Sequence, residues 1–176
     1  MSFNFKNLDS QTRDLMVQEI KSDLSSKRLY ISDNLNPHGV GVYPDLLLRS
    51  AQGGTEVTLG HELLGQLNSH EKPRPVGKNR VMATPKMRSN ANEMLAEGEF
   101  NRFYMRAICM RAILAGAKAV TVYRAKDVTN ARSESEAKIG MSISAQALLD
   151  DLRKRIGIET HLGIPAGPNS GLSVEL

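Results

Sequence analysis

The stretch ANEMLAEGEFNRFYMRAICMRAILA, residues 91–115, decides the fold. Leu95, Phe100, Phe103, Ala107, Met110 and Leu114 recur along one broad side at helical spacing, and Tyr104, Ile108 and Ile113 widen it. A helix this apolar has to be covered on more than one flank. The spacing therefore predicts a central helix over about 91–115, closed by Gly116, with the rest of the chain built around it.

Upstream, Leu15, Met16, Ile20 and Leu24 follow the capping residues Asp9 and Ser10, so 10–26 reads as an amphipathic helix with an unremarkable polar face. Residues 28–32 (RLYIS) read as a short strand and 34–41 as a turn-rich connection. Pro44 suits the first turn of a helix running to Ala51, stopped by Gly53-Gly54, and another short helix is expected over 55–67.

Downstream, Ala119 to Ala125 (AVTVYRA) has the alternation of a buried strand. Ser133 and Glu136 have capping-box spacing, and Ser144 caps a helix over 145–156 with Ile143 placed to pack on Leu148. On that helix Asp150 with Lys154 and Asp151 with Arg155 read as solvent-face pairs. A proline and glycine loop, 163–171, precedes a terminal strand, 172–176. The fold class that follows is α+β, a predominantly helical single domain over 1–176 with a few short strands and an extended basic arm.

Charge divides the chain unevenly. Of 23 Lys and Arg against 19 Asp and Glu, six basic residues and no acidic one fall between 72 and 88, which leaves 17 against 19 elsewhere. The six are Lys72, Arg74, Lys78, Arg80, Lys86 and Arg88, and Pro73, Pro75, Gly77 and Pro85 among them disfavour helix. Residues 68–90 thus read as an arm or loop, with a short strand at 80–83, whose cations are candidates for binding partner proteins or nucleic acid. No aromatic interrupts 72–88, which argues against a base-stacking groove.

A second candidate lies on the central helix. At about 100° per residue, Glu99, Arg102 and Arg106 fall within about 60° of one another while Glu97 points away. With Tyr123, Arg124 and Lys126 of the following strand, and Arg132, Glu134 and Glu136 beyond it, Glu99 and Arg102 are candidates to line a pocket. A carboxylate held by arginines is more often a structural pair, and a poor base near neutrality.

The remaining residue types point to structure rather than to chemistry. His38, His61, His70 and His161 show no metal-ligand spacing, the glycine pairs fit no phosphate-cradling motif, and no metal or cofactor is implied. The single cysteine, Cys109, sits among apolar residues and reads as an inert core thiol, which fits a reducing compartment. No apolar run is long enough to cross a bilayer and no signal-peptide stretch opens the chain, so a cytoplasmic protein, or a virion protein if phage-encoded, is expected. Phe3 and Phe5 alternate in a way that suits a strand added to a neighbour's sheet or an edge strand of its own.

The runs LAEGEFNRFYMRA (95–107), VYRAK (122–126), RSESEAKIG (132–140) and PAGPNSGLSV (165–174) resemble an uncharacterised family of small proteins encoded in bacterial and phage genomes. That resemblance covers the carboxyl-terminal half, implies a phage-related setting and carries over no activity. The expectation is a non-enzymatic structural or assembly protein docking on other subunits through its arm and termini, as a homo-oligomer or part of a larger assembly. The alternatives are an enzyme acting on nucleic acid or a phosphorylated ligand, and a sequence-independent DNA-binding module.

Overall fold

Nine consecutive residues of the central helix, Asn101 to Cys109, are buried, and this is possible because every flank of that helix is occupied. The structure, a computed structural model, describes residues 2–78, 80–129, 131–156, 164 and 170–176. Among them the elements run α1 (Ser10–Ser25), α2 (Pro37–Gly53), α3 (Glu56–Glu62), β1 (Arg74–Val76), β2 (Val81–Ala83), α4 (Ala91–Leu114), β3 (Ala119–Arg124), α5 (Ser133–Glu136), β4 (Ser142–Ser144), α6 (Ala145–Lys154) and β5 (Leu172–Glu175). The fold is α+β. Helices α1, α3 and α6 pack on α4, and β5 and β3 cover part of what remains.

Strand β3 lies in the middle of an antiparallel sheet of order β4-β3-β5, with Val120 opposite Ile143 and Val122 opposite Val174. Its inward residues Val120 and Val122 join Leu172 and Val174 against Phe100, Ala107 and Ile108 in one continuous core. Gly171 lets the chain enter β5. It has φ of +62°, and a Cβ there would stand 2.1 Å from the Lys126 carbonyl oxygen. At the end of α4, Gly116 takes φ of +76° and the Ala117 N–H returns to the Ala112 carbonyl at 2.8 Å, closing the helix as expected. The apolar stripe stops short of that end, since Ile113 is 37% and Leu114 71% exposed.

Several expected boundaries are corrected. Helix α2 begins at Pro37, not Pro44. Asn36 caps it by accepting from the Gly39 N–H at 2.8 Å, Pro37 sits at the first helical position, and Pro44 lies inside the helix. Residues 28–32 form no strand, because the Arg28 and Leu29 N–H groups close the end of α1 on the Asp23 carbonyl at 2.7 and 3.2 Å. Helix α3 stops at Glu62, short of Leu67: Gly65 takes φ of +79° in the turn that follows and Leu67 pairs with Leu35, while the capping box joins Thr55 to Thr58.

The capping box expected from Ser133 is absent. Arg132 is the cap, Ser133 already lies in the first turn, and the Glu136 carboxylate is taken by Arg124 at 2.7 Å. Helix α6 ends at Lys154, two residues early, with Ser144 capping it through the Ala147 N–H at 3.3 Å. Asp151 is not on the solvent face but buried, 3.7 Å from Arg155. Most of the expected loop at 163–171, with His161 before it, lies outside the described residues. β4 was not foreseen.

The amino-terminal segment folds onto its own chain. The rings of Phe3 and Phe5 stack at 5.2 Å, Phe5 lies 4.6 Å from the Tyr104 ring, and Phe3 is buried against Tyr123 and Ala125. The Asn4 N–H donates to the Ala125 carbonyl at 2.7 Å, and the Phe3 N–H donates to Glu56 Oε1 at 2.8 Å. Residues 2–5 form no edge strand, and the aromatic pair is instead packed into the chain's own core.

Candidate functional site

The polar groups of α4 separate into two sets on opposite sides of the helix, as the roughly 200° between positions 97 and 99 requires. On one side Arg106, 1% exposed, holds two carboxylates of α1. Its Nη2 is 2.6 Å from Glu19 Oε2 and its Nη1 2.6 Å from Asp23 Oδ2. Arg153 of α6 meets the same Glu19 at 2.5 Å, so a single ionic knot ties α1, α4 and α6 together. Burial alone would raise the Glu19 carboxyl, but the hydrogen bonds of Arg153 and the charge of Arg106 overcome it and hold it below the usual range.

One turn earlier, Arg102 Nη2 lies 3.2 Å from Glu99 Oε1, and both residues are buried. Burial raises the Glu99 carboxyl despite Arg102 and Arg106, and Asp23 adds to the rise. Arg102 Nε and Nη1, Glu99 Oε2 and the hydroxyl of the fully buried Tyr43 have no hydrogen-bond partner among the described residues. Glu99, Arg102 and Arg106 therefore cluster as expected, facing α1 and Tyr43 of α2.

The strand residues lie elsewhere. Lys126 reaches Glu97 on the other side of α4 at 2.5 Å. Arg124 donates to the Ser170 carbonyl at 2.8 Å and pairs with Glu136. The Tyr123 hydroxyl donates to the Asn4 carbonyl at 2.8 Å and accepts from the Lys6 N–H at 3.3 Å. Arg132 and Glu134 are exposed. Glu99 and Arg102 thus pair with each other on the α1 side of α4, while Tyr123, Arg124 and Lys126 are engaged elsewhere with Asn4 and Lys6, Ser170 and Glu136, and Glu97, so the five do not converge on one pocket. The helix-side and strand-side halves work as structural pairs.

The basic arm is an antiparallel hairpin of β1 and β2, in which Arg74 faces Ala83, Pro75 faces Met82 and Val76 faces Val81. Both strands come from one short segment, and Arg80 turns the connection with φ of +49°. Three of the six cations fold back to carboxylates of the same chain. Lys72 reaches Asp33 at 2.7 Å, and Arg74 and Arg88 reach the two oxygens of Glu71 at 3.2 and 3.3 Å. Asp33, Glu71 and Lys72 border an open cleft of about 320 Å³ at the foot of the hairpin. Lys78, Arg80 and Lys86 have no ion-pair partner among the described residues, and beside them Val81 is 64% and Met82 62% exposed.

His38 bonds Gln66 at 2.7 Å and His70 bonds Ser69 at 3.0 Å, and no group of side chains fit to hold a metal ion occurs among the described residues. Cys109 is fully buried, and burial pushes its thiol up to about 12, which removes it as a nucleophile near neutrality. No helix among the described residues is long and apolar enough to cross a membrane. Sequence reasoning missed Glu19, Asp23 and Arg153. The available signal was the four-residue spacing of two carboxylates bordering the apolar face of α1, which places both on the side turned toward α4. Compared with known proteins, the chain matches no family model, no curated protein and no solved structure.

Proposed function

We propose that this chain is a non-enzymatic structural or assembly protein that docks on other protein subunits through the β1–β2 hairpin. The observation that carries this reading is the placement of Lys78, Arg80 and Lys86, without carboxylate partners among the described residues, beside the exposed Val81 and Met82 on one outward ribbon. The buried pairs of Arg106 with Glu19 and Asp23, and of Arg153 with Glu19, hold helices together, which suits a scaffold. The amino terminus is occupied by its own core, so the docking role falls to the hairpin. A phage particle is the setting that the family resemblance favours.

The test is fluorescence anisotropy with labelled polyglutamate, as a stand-in for an acidic protein surface, and with duplex DNA, both at low salt. The intact chain is expected to bind the acidic polypeptide. The triple variant Lys78→Glu, Arg80→Glu, Lys86→Glu is expected to lose at least about tenfold in affinity while its melting stays within about 0.5 kcal/mol of the parent. Binding of DNA alone would make the chain a nucleic-acid module instead, and its affinity would fall steeply with salt. Binding of neither probe would reject the hairpin as a docking arm.

A further inference from the structure

We infer that the outer edge of β2 is a strand-addition site for an extended acidic segment of a partner protein, an inference that rests on the docking role of the hairpin and specifies its partner. The ladder register carries the argument. Pro75 lies opposite Met82, and proline has no N–H, so this pair is the one that exchanges no hydrogen bonds, while Arg74 with Ala83 and Val76 with Val81 are the bonded pairs. Main-chain groups of the middle residues therefore point outward from the ribbon. On the β1 side that outward position is Pro75, preceded by Pro73, and it offers no donor. On the β2 side it is Met82, which offers both an N–H and a C=O along an edge that no other strand covers among the described residues.

One edge of the hairpin is thus blocked and the other open, and the open edge has the chemistry of a peptide-binding strand. Val81 and Met82 alternate across the two ribbon faces and are both exposed, so an added strand would bury apolar surface on either side. Lys78, Arg80 and Lys86 stand at its two ends without acidic partners among the described residues, which selects a segment carrying carboxylates at its ends. A second copy of the same hairpin is a poor occupant. Antiparallel pairing of β2 with itself about Met82 would bring Lys78 of one copy against Lys86 of the other, and like charges placed opposite each other destabilise a strand pair. Duplex DNA would use the three cations but would leave Val81 and Met82 without an apolar counterpart.

The probe is the peptide Glu-Val-Glu-Val-Glu, with Lys-Val-Lys-Val-Lys and duplex DNA as comparisons, and the readouts are binding anisotropy and amide hydrogen exchange on the full chain. The acidic peptide is expected to bind, to slow exchange at the Met82 amide, and to bind about tenfold more weakly to Met82→Pro, which removes the outward donor and leaves every charge in place. Pro75→Ala, which leaves the β2 edge intact and only adds a donor on the β1 edge, should bind at least as tightly as the parent. Should Met82→Pro disturb the hairpin itself, exchange at Met82 in the parent chain decides the matter. Undiminished binding by a folded Met82→Pro variant, or an unprotected Met82 amide in the complex, would overturn strand addition and leave a purely electrostatic arm. Polyglutamate binding lost in the charge-reversed triple variant would still stand in that case. Binding of DNA but not of the acidic peptide would overturn both readings.

Discussion

Glu56 shows how one buried carboxylate ties a distant segment to the core and makes stability depend on pH. It is 3% exposed and accepts the Phe3 N–H, and burial raises its carboxyl above the ordinary glutamate value even though that N–H and Lys126 pull the other way. A raised value in the folded state means that its contribution is full below the unfolded glutamate pKa and is lost as pH rises through the folded one. Glu56→Gln keeps an oxygen for Phe3 but cannot ionise. Its melting temperature should therefore gain on the parent as pH rises above the ordinary glutamate value, and a difference that stays constant with pH would show that Glu56 does not titrate with folding. Glu19 has the opposite sign, since its lowered carboxyl supports the fold above the unfolded value and withdraws that support in acid. Neither residue was legible as special from the sequence. A carboxylate becomes distinctive only when a partner remote in the chain lies against it, and Arg106 is 87 positions from Glu19.

At the scale of elements, local rules gave what local physics controls. The length and apolar breadth of α4, the caps of α1 and α6, and strands β3 and β5 were readable because periodicity and capping act within a few residues. Helix α2 was misplaced because Pro44 and Pro37 both suit a first helical position, and Asn36 before Pro37 settles the competition. The start of α2 also has a steric requirement. A Cβ on Gly39 would stand 2.3 Å from the Gln66 carbonyl oxygen, whereas one on Gly41 would meet nothing within 4 Å. Gly39→Ala should cost about 1–3 kcal/mol by forcing backbone apart. Gly41→Ala should instead gain about 0.5–1 kcal/mol from lost unfolded-state freedom. Equal denaturant midpoints for the two variants would contradict that close approach. The hairpin was half legible: its charge and prolines marked an arm, but pairing β1 with β2 needed the turn at Gly77 and Arg80, and a positive φ at an arginine has no sequence signature.

For the whole molecule, the knot of Arg106 with Glu19, Asp23 and Arg153 is the feature with the widest reach, because it joins three helices whose contacts span most of the chain. Arg106→Met would leave Asp23 buried without its cation and should cost about 3–5 kcal/mol in chemical denaturation. Replacing Arg106, Glu19 and Asp23 together by apolar residues of similar volume should restore that loss or exceed it by about 1–4 kcal/mol. A triple variant no more stable than the single one would mean that the knot is not merely a paired burial. The value of such a knot lies elsewhere than in its energy. Three greasy helices slipped by one turn, about 5.4 Å, would still cover most of one another's side chains, but Glu19 and Asp23 could then no longer both reach Arg106. The three-way ionic lock acts as a proofreading step on collapse, and the apolar triple variant should trade its higher melting point for broadened amide resonances.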